Sequence, residues 1–297
     1  MLKTPLVSFI VTSYNYGKFV EQTLQSIKEQ TYKHFEIIVV DDCSEDNSTE
    51  IIERFIQNNQ NMRITLIKHG KNLGQFASMI DGLKIAQGVF VSFVDSDDIL
   101  MPEYAAVHVK THLETSVAFT SCQLLEIDEN NEMHTAYSNS SPQNNDEIKT
   151  LSELASAENI RYKKVKRKCF GGWYWAPNSS AMHRKSALEI ILNYQNAGEW
   201  RVCPDKFLFN LMHLIGGSIN ISMPLVAYRR HKNNAGGSDY VTGDKKYNND
   251  ETTKRNISNN IKIRPKTLKF LLDNRREFIS KFGMRGYVKF VLKVLLF

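Results

Sequence analysis

Residues 89–98 read VFVSFVDSDD. A six-residue apolar or small run, suited to a strand buried on both faces, passes straight into a turn carrying the carboxylates of Asp95, Asp97 and Asp98. Such a turn has two readings. Asp97 or Asp98 could start the next helix as an N-cap. Alternatively, two carboxylates on so short a turn could approach one hard cation, since Mg²⁺ and Mn²⁺ favour oxygen ligands and often bind through one or two carboxylates plus substrate phosphates.

The sequence upstream favours the second reading. VSFIVT (7–12) is another apolar, β-branched run; it ends in the turn cluster Ser13-Tyr14-Asn15-Tyr16-Gly17, after which Phe19, Val20, Leu24 and Ile27 recur at helical spacing. FEIIVV (35–40) ends at Asp41-Asp42, and Ser44 to Asn47 starts a helix striped with Ile51, Ile52, Phe55 and Ile56. Arg63–Lys68 is a third strand, and Asn72-Leu73-Gly74 turns the chain into a helix carrying Ala77, Ile80, Leu83 and Ile85. Strand and helix in regular alternation imply right-handed crossovers and a mainly parallel sheet with flanking helices, an α/β fold. Ligands of such sheets sit beyond the C-terminal strand ends. Thr12-Ser13-Tyr14, Asp41-Asp42 and Asp95 to Asp98 all lie there, so three polar clusters converge on one sheet edge.

Beyond Asp98 the alternation weakens. Glu103–Leu113 reads as a helix and Val117–Ile127 as a strand, while 128–149 is a polar excursion. The expected organisation is a ligand-binding half over 1–100, a second half over 101–232, a flexible loop or lid over 233–260, and a basic amphipathic helical extension over 261–297.

Bulk properties fit that organisation. With 297 residues, 42% hydrophobic and 24% charged, the chain suits a globular protein. It has no apolar run of membrane-spanning length and no signal-peptide layout at Met1 to Pro5. Cys43, Cys122, Cys169 and Cys203 form no Cys-x-x-Cys pair, which argues for free thiols in a reducing cytoplasm. The net charge of +6 is local: ten Lys/Arg against Asp273 and Glu277 fall in 262–297, and a second basic cluster lies in 161–168. A nucleic-acid binder would more often spread its basic residues over one face, so none is expected as a partner. Lys281, Arg285, Lys289 and Lys293 are spaced four apart among apolar residues. That pattern suits a helix lying on anionic lipid at the inner face of the cytoplasmic membrane, a helix docked on the protein's own core, or a dimer contact.

Two stretches, 7–48 and 72–98, resemble the N-terminal half of glycosyltransferase family 2 in the order and spacing of their motifs. The resemblance implies a GT-A fold, a Rossmann-like nucleotide-binding half joined to an acceptor-binding half. It also implies a nucleotide-sugar donor, Mn²⁺ or Mg²⁺, and a glycan or lipid-linked acceptor. By resemblance, Thr12 and Tyr14 contact the base, the Tyr14 ring stacking on it, and Asp42 accepts a hydrogen bond from it. Asp95 binds ribose or metal, and Asp97 is the principal metal ligand. Asp41 reads as a residue closing its strand, and Asn72 and Gly74 as turn formers, Asn72 with a secondary contact to nucleotide. Many relatives carry Arg-Asn where this chain has Met79-Ile80, which removes a donor-phosphate contact from that helix.

The second half resembles the family more sparsely. Gly171 to Trp175, then Asn178 to Arg184, resembles the segment entering the acceptor site, where Trp175 or Trp173 would stack on a sugar face; core packing is the competing role for a large aromatic. Val202 to Phe209 resembles the segment that carries the general base of inverting members. Asp205 takes that role, held near a helix N-terminus, with Pro204 where an acidic neighbour is usual. Pro224 to His231 resembles the family's closing strand. It implies His231 near the diphosphate, as a further metal ligand, and Arg229 or Arg230 paired with phosphate. The reading that follows is an inverting, metal-dependent transferase using a UDP- or dTDP-sugar in cell-surface polysaccharide synthesis. A nucleotidyltransferase would show an early Gly-rich basic phosphate loop, absent at Tyr14 to Gly17. A non-catalytic binding protein of the same fold would lose Asp97 or Asp205, and both are present.

Overall fold

Fully buried Val, Ile and Phe side chains each contribute about 1.5–3 kcal/mol, so the apolar runs of the first hundred residues dominate the fold's energetics. In the computed structural model these runs form β1 (Val7–Ser13), β2 (Phe35–Asp41), β3 (Ile64–Lys68) and β4 (Phe90–Asp95). They pair in parallel in the order β3-β2-β1-β4. The structure describes residues 4–137, 162–165, 175, 177–194, 196–200, 204–231, 234, 240–242, 245–247 and 263–296.

Side chains alternate across the strands with period two. Phe9, Val11, Ile37 and Val39 face one apolar cluster, completed by α1 (Val20–Lys28), α2 (Ser48–Asn58) and α4 (Tyr104–Glu114). Ile10, Ile38 and Val40 face the other, beneath α3 (Gln75–Ile85). The helices therefore cover both faces, as an α/β sheet requires.

The second half extends the same sheet. A two-residue β5 (Ile99–Leu100) precedes α4, and β6 (Phe119–Ile127) follows it, with β7 (Met133–Tyr137) and β8 (Tyr162–Lys164) pairing off the main path. After one 3₁₀ turn (Asn178–Ser180) come β9 (Ala181–Arg184), the short α5 (Lys185–Leu188), α6 (Asp205–Gly216) and β10 (Ser218–Arg229). The full order is β3-β2-β1-β4-β9-β6-β10-β5. β9 runs antiparallel to both β4 and β6, so the sheet is mixed beyond β4. Pro224 lies inside β10 but is accommodated by register shifts on either side of it, a bulge where a missing N–H is tolerated. Of the expected excursion after Ile127, 133–137 forms a strand, and 138–149 lie outside the described residues. Within 233–260 only Asn234 and a ribbon of Tyr240–Thr242 with Lys245–Tyr247 are described.

A helix over 263–273, α7, and α8 (Arg275–Leu296) pack on the α3–α6 face. Phe270, Leu271, Phe278, Tyr287, Phe290 and Val294 are all buried in that cluster. The four-residue basic stripe is corrected here: Gly283 takes φ 70°, ψ 165°, breaking α8 and shifting Lys281 out of phase with the residues that follow. Lys281 instead pairs with Glu189 (Nζ–Oε2 3.2 Å). No helix among the described residues is long and apolar enough to cross a membrane.

Candidate functional site

The C-terminal ends of β1 and β2 are laced together. Asn15, at φ 58°, donates its N–H to Ser44 Oγ (2.9 Å) and accepts from Glu45 N at Oδ1 (2.7 Å). Gly17 N donates to Asp46 Oδ2 (3.0 Å) and Tyr16 N to Ser48 Oγ (3.0 Å). Asp41 closes this turn, accepting from Ser44 Oγ (2.6 Å) and Thr49 Oγ1 (3.1 Å). Tyr14 projects from the lacing with 39% of its surface exposed, leaving a ring face open for stacking; Thr12, just before it, is half-buried.

Asp42 is buried and turned towards the β3–α3 loop. It accepts from Leu73 N (2.7 Å), Gly74 N (2.7 Å) and His69 Nδ1 (2.8 Å). Gly74 sits at φ 93°, a conformation strained for any residue with a Cβ, so the clamp and the glycine jointly set the entry to α3. Asn72 lies half-buried in the same loop. A carboxylate offers about four acceptor positions, of which three are taken here.

At the end of β4 carboxylates meet one another. Asp95 N donates to Ser179 Oγ (3.0 Å), and Asp95 Oδ1 accepts from Gln75 Nε2 (2.7 Å) and Asn178 Nδ2 (3.4 Å). Burial, then the neighbouring Asp97 and Asp205, push the Asp95 carboxyl up to about 8. Asp97 Oδ2 meets His231 Nε2 (3.0 Å) and Asn234 Nδ2 (3.2 Å). The Tyr16 ring packs edge-on against His231 at 5.5 Å, its phenol raised above the usual range by burial and then by Asp97 and Asp95.

Neither Asp97 nor Asp98 caps a helix. Asp98 is fully buried and ties the turn to β10, accepting from Arg229 N (3.1 Å), while its carbonyl accepts from Thr23 Oγ1 (2.8 Å). Burial, then Asp97 and Asp95, hold its carboxyl well above the usual carboxylate range. Asp205 opens α6 with its side chain buried and Oδ1 without a hydrogen-bond partner among the described residues. Burial raises its carboxyl to about 6, with the Lys206 backbone N–H acting in the opposite direction.

Three expected contacts change. Arg229 is fully buried and committed to the protein: Nε donates to Asp97 O (2.9 Å), Nη1 to Asp128 O (2.9 Å) and Asn131 Oδ1 (2.7 Å), Nη2 to Gln22 Oε1 (2.8 Å). It braces the Asp95–Asp98 turn from behind and has no exposed surface to offer a phosphate. Arg230 pairs with Glu126 (Nε–Oε1 3.0 Å) and lies over the Tyr228 ring at 4.8 Å. Trp175 is a core residue, packed on Phe119 (5.6 Å) and His213 (4.9 Å) between ring centroids, so the competing packing role holds. Trp173 lies outside the described residues.

His69, Gln75 and Asn234 were not among the expected site residues, and Asn178, expected in the acceptor-site segment, stands against Asp95. His69 and Gln75 stand just past β3 and at the head of α3, on the sheet edge already singled out, so their positions carried a signal. Asn234 lies far along the chain from the carboxylate it contacts and carried none. Among the described residues, no three His, Cys, Asp or Glu side chains form a ready-made cation cage. Asp97 and His231 are in contact, and Asp95 belongs to the same turn.

The sequence profile of "Glycosyl transferase family 2" matches residues 8–191, well over half of the chain. The chain belongs to glycosyltransferase family 2. It is 27% identical over 234 residues to EpsH, a candidate glycosyltransferase of Bacillus subtilis, covering 77% of this chain and 62% of EpsH. To the glycosyltransferase GlyG of Streptococcus pneumoniae it is 40% identical over 96 residues, covering 32% of this chain and 31% of GlyG. A B. subtilis protein described as a candidate teichuronic acid biosynthesis glycosyltransferase, TuaG, is 33% identical over 116 residues, 39% of this chain and 45% of that protein. The chain thus spans between about a third and two thirds of these relatives' lengths. Among solved structures, S. aureus TarS 1–349 in complex with UDP-GlcNAc aligns at TM-score 0.57 and 18% identity, over 90% of this chain and 66% of that one. That likeness supports the GT-A architecture. Family 2 is generally divalent-metal dependent.

Proposed function

We propose that this family 2 member is an inverting glycosyltransferase that moves a sugar from a UDP- or dTDP-sugar to a glycan or lipid-linked acceptor in cell-surface polysaccharide synthesis. The observation that carries the reading is the approach of Asp205 to Asp95: a single buried carboxylate of raised pKa beside the first carboxylate of the donor turn. Inverting transfer needs one base, whereas hydrolysis of a glycosidic bond ordinarily uses two carboxylates flanking that bond. The relatives' names point to cell-surface polysaccharide, and the UDP-GlcNAc in the TarS complex favours a UDP-linked donor.

In this mechanism the Tyr14 ring stacks on the base and Thr12 contacts it. The remaining acceptor position of Asp42 takes the base N–H, and Asn72 stands beside it. Asp95 contacts the ribose. Asp205 accepts the acceptor hydroxyl's proton as that oxygen attacks the anomeric carbon from the face opposite the leaving diphosphate. The donor set of the turn, one carboxylate and one imidazole in contact with a second carboxylate nearby, fits a cation completed by substrate phosphates rather than one caged by protein. Asp97 and His231 would hold Mn²⁺ or Mg²⁺, with Asp95 behind them; when bound, the cation neutralises the departing diphosphate. A thermal-shift panel of nucleotide-sugars with Mn²⁺ tests the donor. Stabilisation by UDP- or dTDP-sugars that vanishes with chelator supports the reading, and equal response to every nucleotide refutes the base contacts.

A further inference from the structure

The last turns of α8 have two apolar faces. Tyr287, Phe290 and Val294 point into the core. On the other side, Met284, Val288, Leu292 and Leu295 recur at i, i+4, i+8 and i+11 and are 51%, 45%, 48% and 54% exposed. At 100° per residue these four lie within a sector of about 80°, and the buried three fall in a separate sector. An exposed apolar stripe of this length needs a reason, since docking on the core has already used the helix's other face.

Charge says what covers it. Arg285, Lys289 and Lys293 continue around the helix beside the stripe, and residues 278–297 hold no Asp or Glu. Two copies meeting face to face would bring these cations against one another with nothing to neutralise them. An anionic bilayer offers both halves of the match: acyl chains for the stripe and headgroup phosphates for the cations. We infer that residues 284–296 of α8 form an interfacial docking surface for anionic lipid, with Met284, Val288, Leu292 and Leu295 dipping below the headgroups and Arg285, Lys289 and Lys293 lying along them. The arrangement differs from the one expected from sequence: Phe290 belongs to the core, and Lys281 belongs to a separate helical segment. The inference is independent of the transfer reading, and its test measures no turnover.

The test is co-sedimentation of the full chain with phosphatidylcholine vesicles, with and without phosphatidylglycerol, at low and high salt. Cations near the surface add about fivefold each, so binding to the anionic vesicles is expected to exceed neutral binding on the order of a hundredfold and to weaken sharply in high salt. Val288→Asp with Leu292→Asp is expected to abolish binding to both kinds of vesicle while the circular dichroism and thermal midpoint stay those of the parent. Arg285→Gln with Lys289→Gln reports separately, cutting the anionic preference to about fivefold, the share of the remaining Lys293, and leaving the weak neutral binding. Equal binding to neutral and anionic vesicles overturns the proposal, as does full binding by the double aspartate variant. A salt-insensitive dimer in analytical ultracentrifugation that this variant dissolves also overturns it, assigning the stripe to self-association.

Discussion

Two acidic regions share one sheet edge, and they are built on opposite principles. At the ends of β1, β2 and β3, every named carboxylate meets donors: Asp41 meets Ser44 and Thr49, Asp42 meets two backbone N–H groups and His69, and Asp46 meets Gly17 and Ser48. At the end of β4, carboxylates crowd together, and Asp95 is pushed up to about 8 by burial and by its acidic neighbours. The first region is finished before any ligand arrives. The second is arranged around charge it does not itself neutralise. In a site for a nucleotide diphosphate, that division matches the ligand, whose base needs a fixed shape and whose phosphates arrive with a counter-ion.

Four experiments can break or sharpen this contrast, beginning with the largest expected effect. Asp205→Asn is expected to lower transfer by about 10²–10⁴-fold while calorimetric UDP affinity stays put, since general-base assistance contributes that much. Near-normal turnover would remove Asp205 from the base role. The wild-type pH profile belongs with it: burial raises the Asp205 carboxyl to about 6, and a base must be ionised, so kcat/KM is expected to fall roughly tenfold per pH unit below that value. Asp97→Asn is expected to cost on the order of a hundredfold in Mn²⁺-dependent UDP affinity, with little change in metal-free binding. An unchanged Mn²⁺ response would place the cation elsewhere.

The finished region is expected to answer in stability instead. Asp42→Ala strips two buried N–H groups of their acceptor and is expected to cost about 2–4 kcal/mol in denaturant unfolding, independent of metal. A wild-type thermal midpoint would mean the β3–α3 loop is held without it. The smallest effect per unit change comes from a third buried polar cluster, against α4. There burial holds His112 at about 4 and His183 at about 3, below the ordinary 6.5. Both are neutral in the folded chain and take up protons on unfolding, so their contribution is complete above pH 6.5 and declines as pH falls below it. The expected slope is about 1.4 kcal/mol per unit for each histidine, read from urea midpoints between pH 7 and 5. A flat profile would show that their burial is relieved in acid.

Sequence carried the first region almost to the residue and the second only in part. VSFIVT and FEIIVV matched β1 and β2 to within one residue because a strand buried on both faces leaves a continuous apolar run. The Asp95–Asp98 turn was legible for the same reason, as the place where such a run stops. Arg229 was not: its partners Gln22, Asp97, Asp128 and Asn131 come from three distant segments, and no local pattern separates a bracing guanidinium from a phosphate ligand. Trp175 failed for a chemical reason, since the flat apolar face that stacks on a sugar stacks equally well on Phe119. The basic stripe assumed one continuous helix, and Gly283 ended that continuity. β9 was invisible because it is four residues long and its register is dictated by β4 and β6.

That short strand governs how the protein comes into being. Among the described residues, β4 and β6 are joined in the sheet through Ala181–Arg184, and the carbonyl of Ala181 also receives the hydroxyl of Tyr104 (2.9 Å). A nascent chain that has emerged as far as residue 137 therefore holds β4 with one flank bare, the exposed edge that invites pairing with the wrong chain. Synthesis must run on through residue 184 before that flank is covered. The carboxylate turn at the end of β4 is completed later still, by Arg229, His231 and Asn234, more than a hundred residues after it.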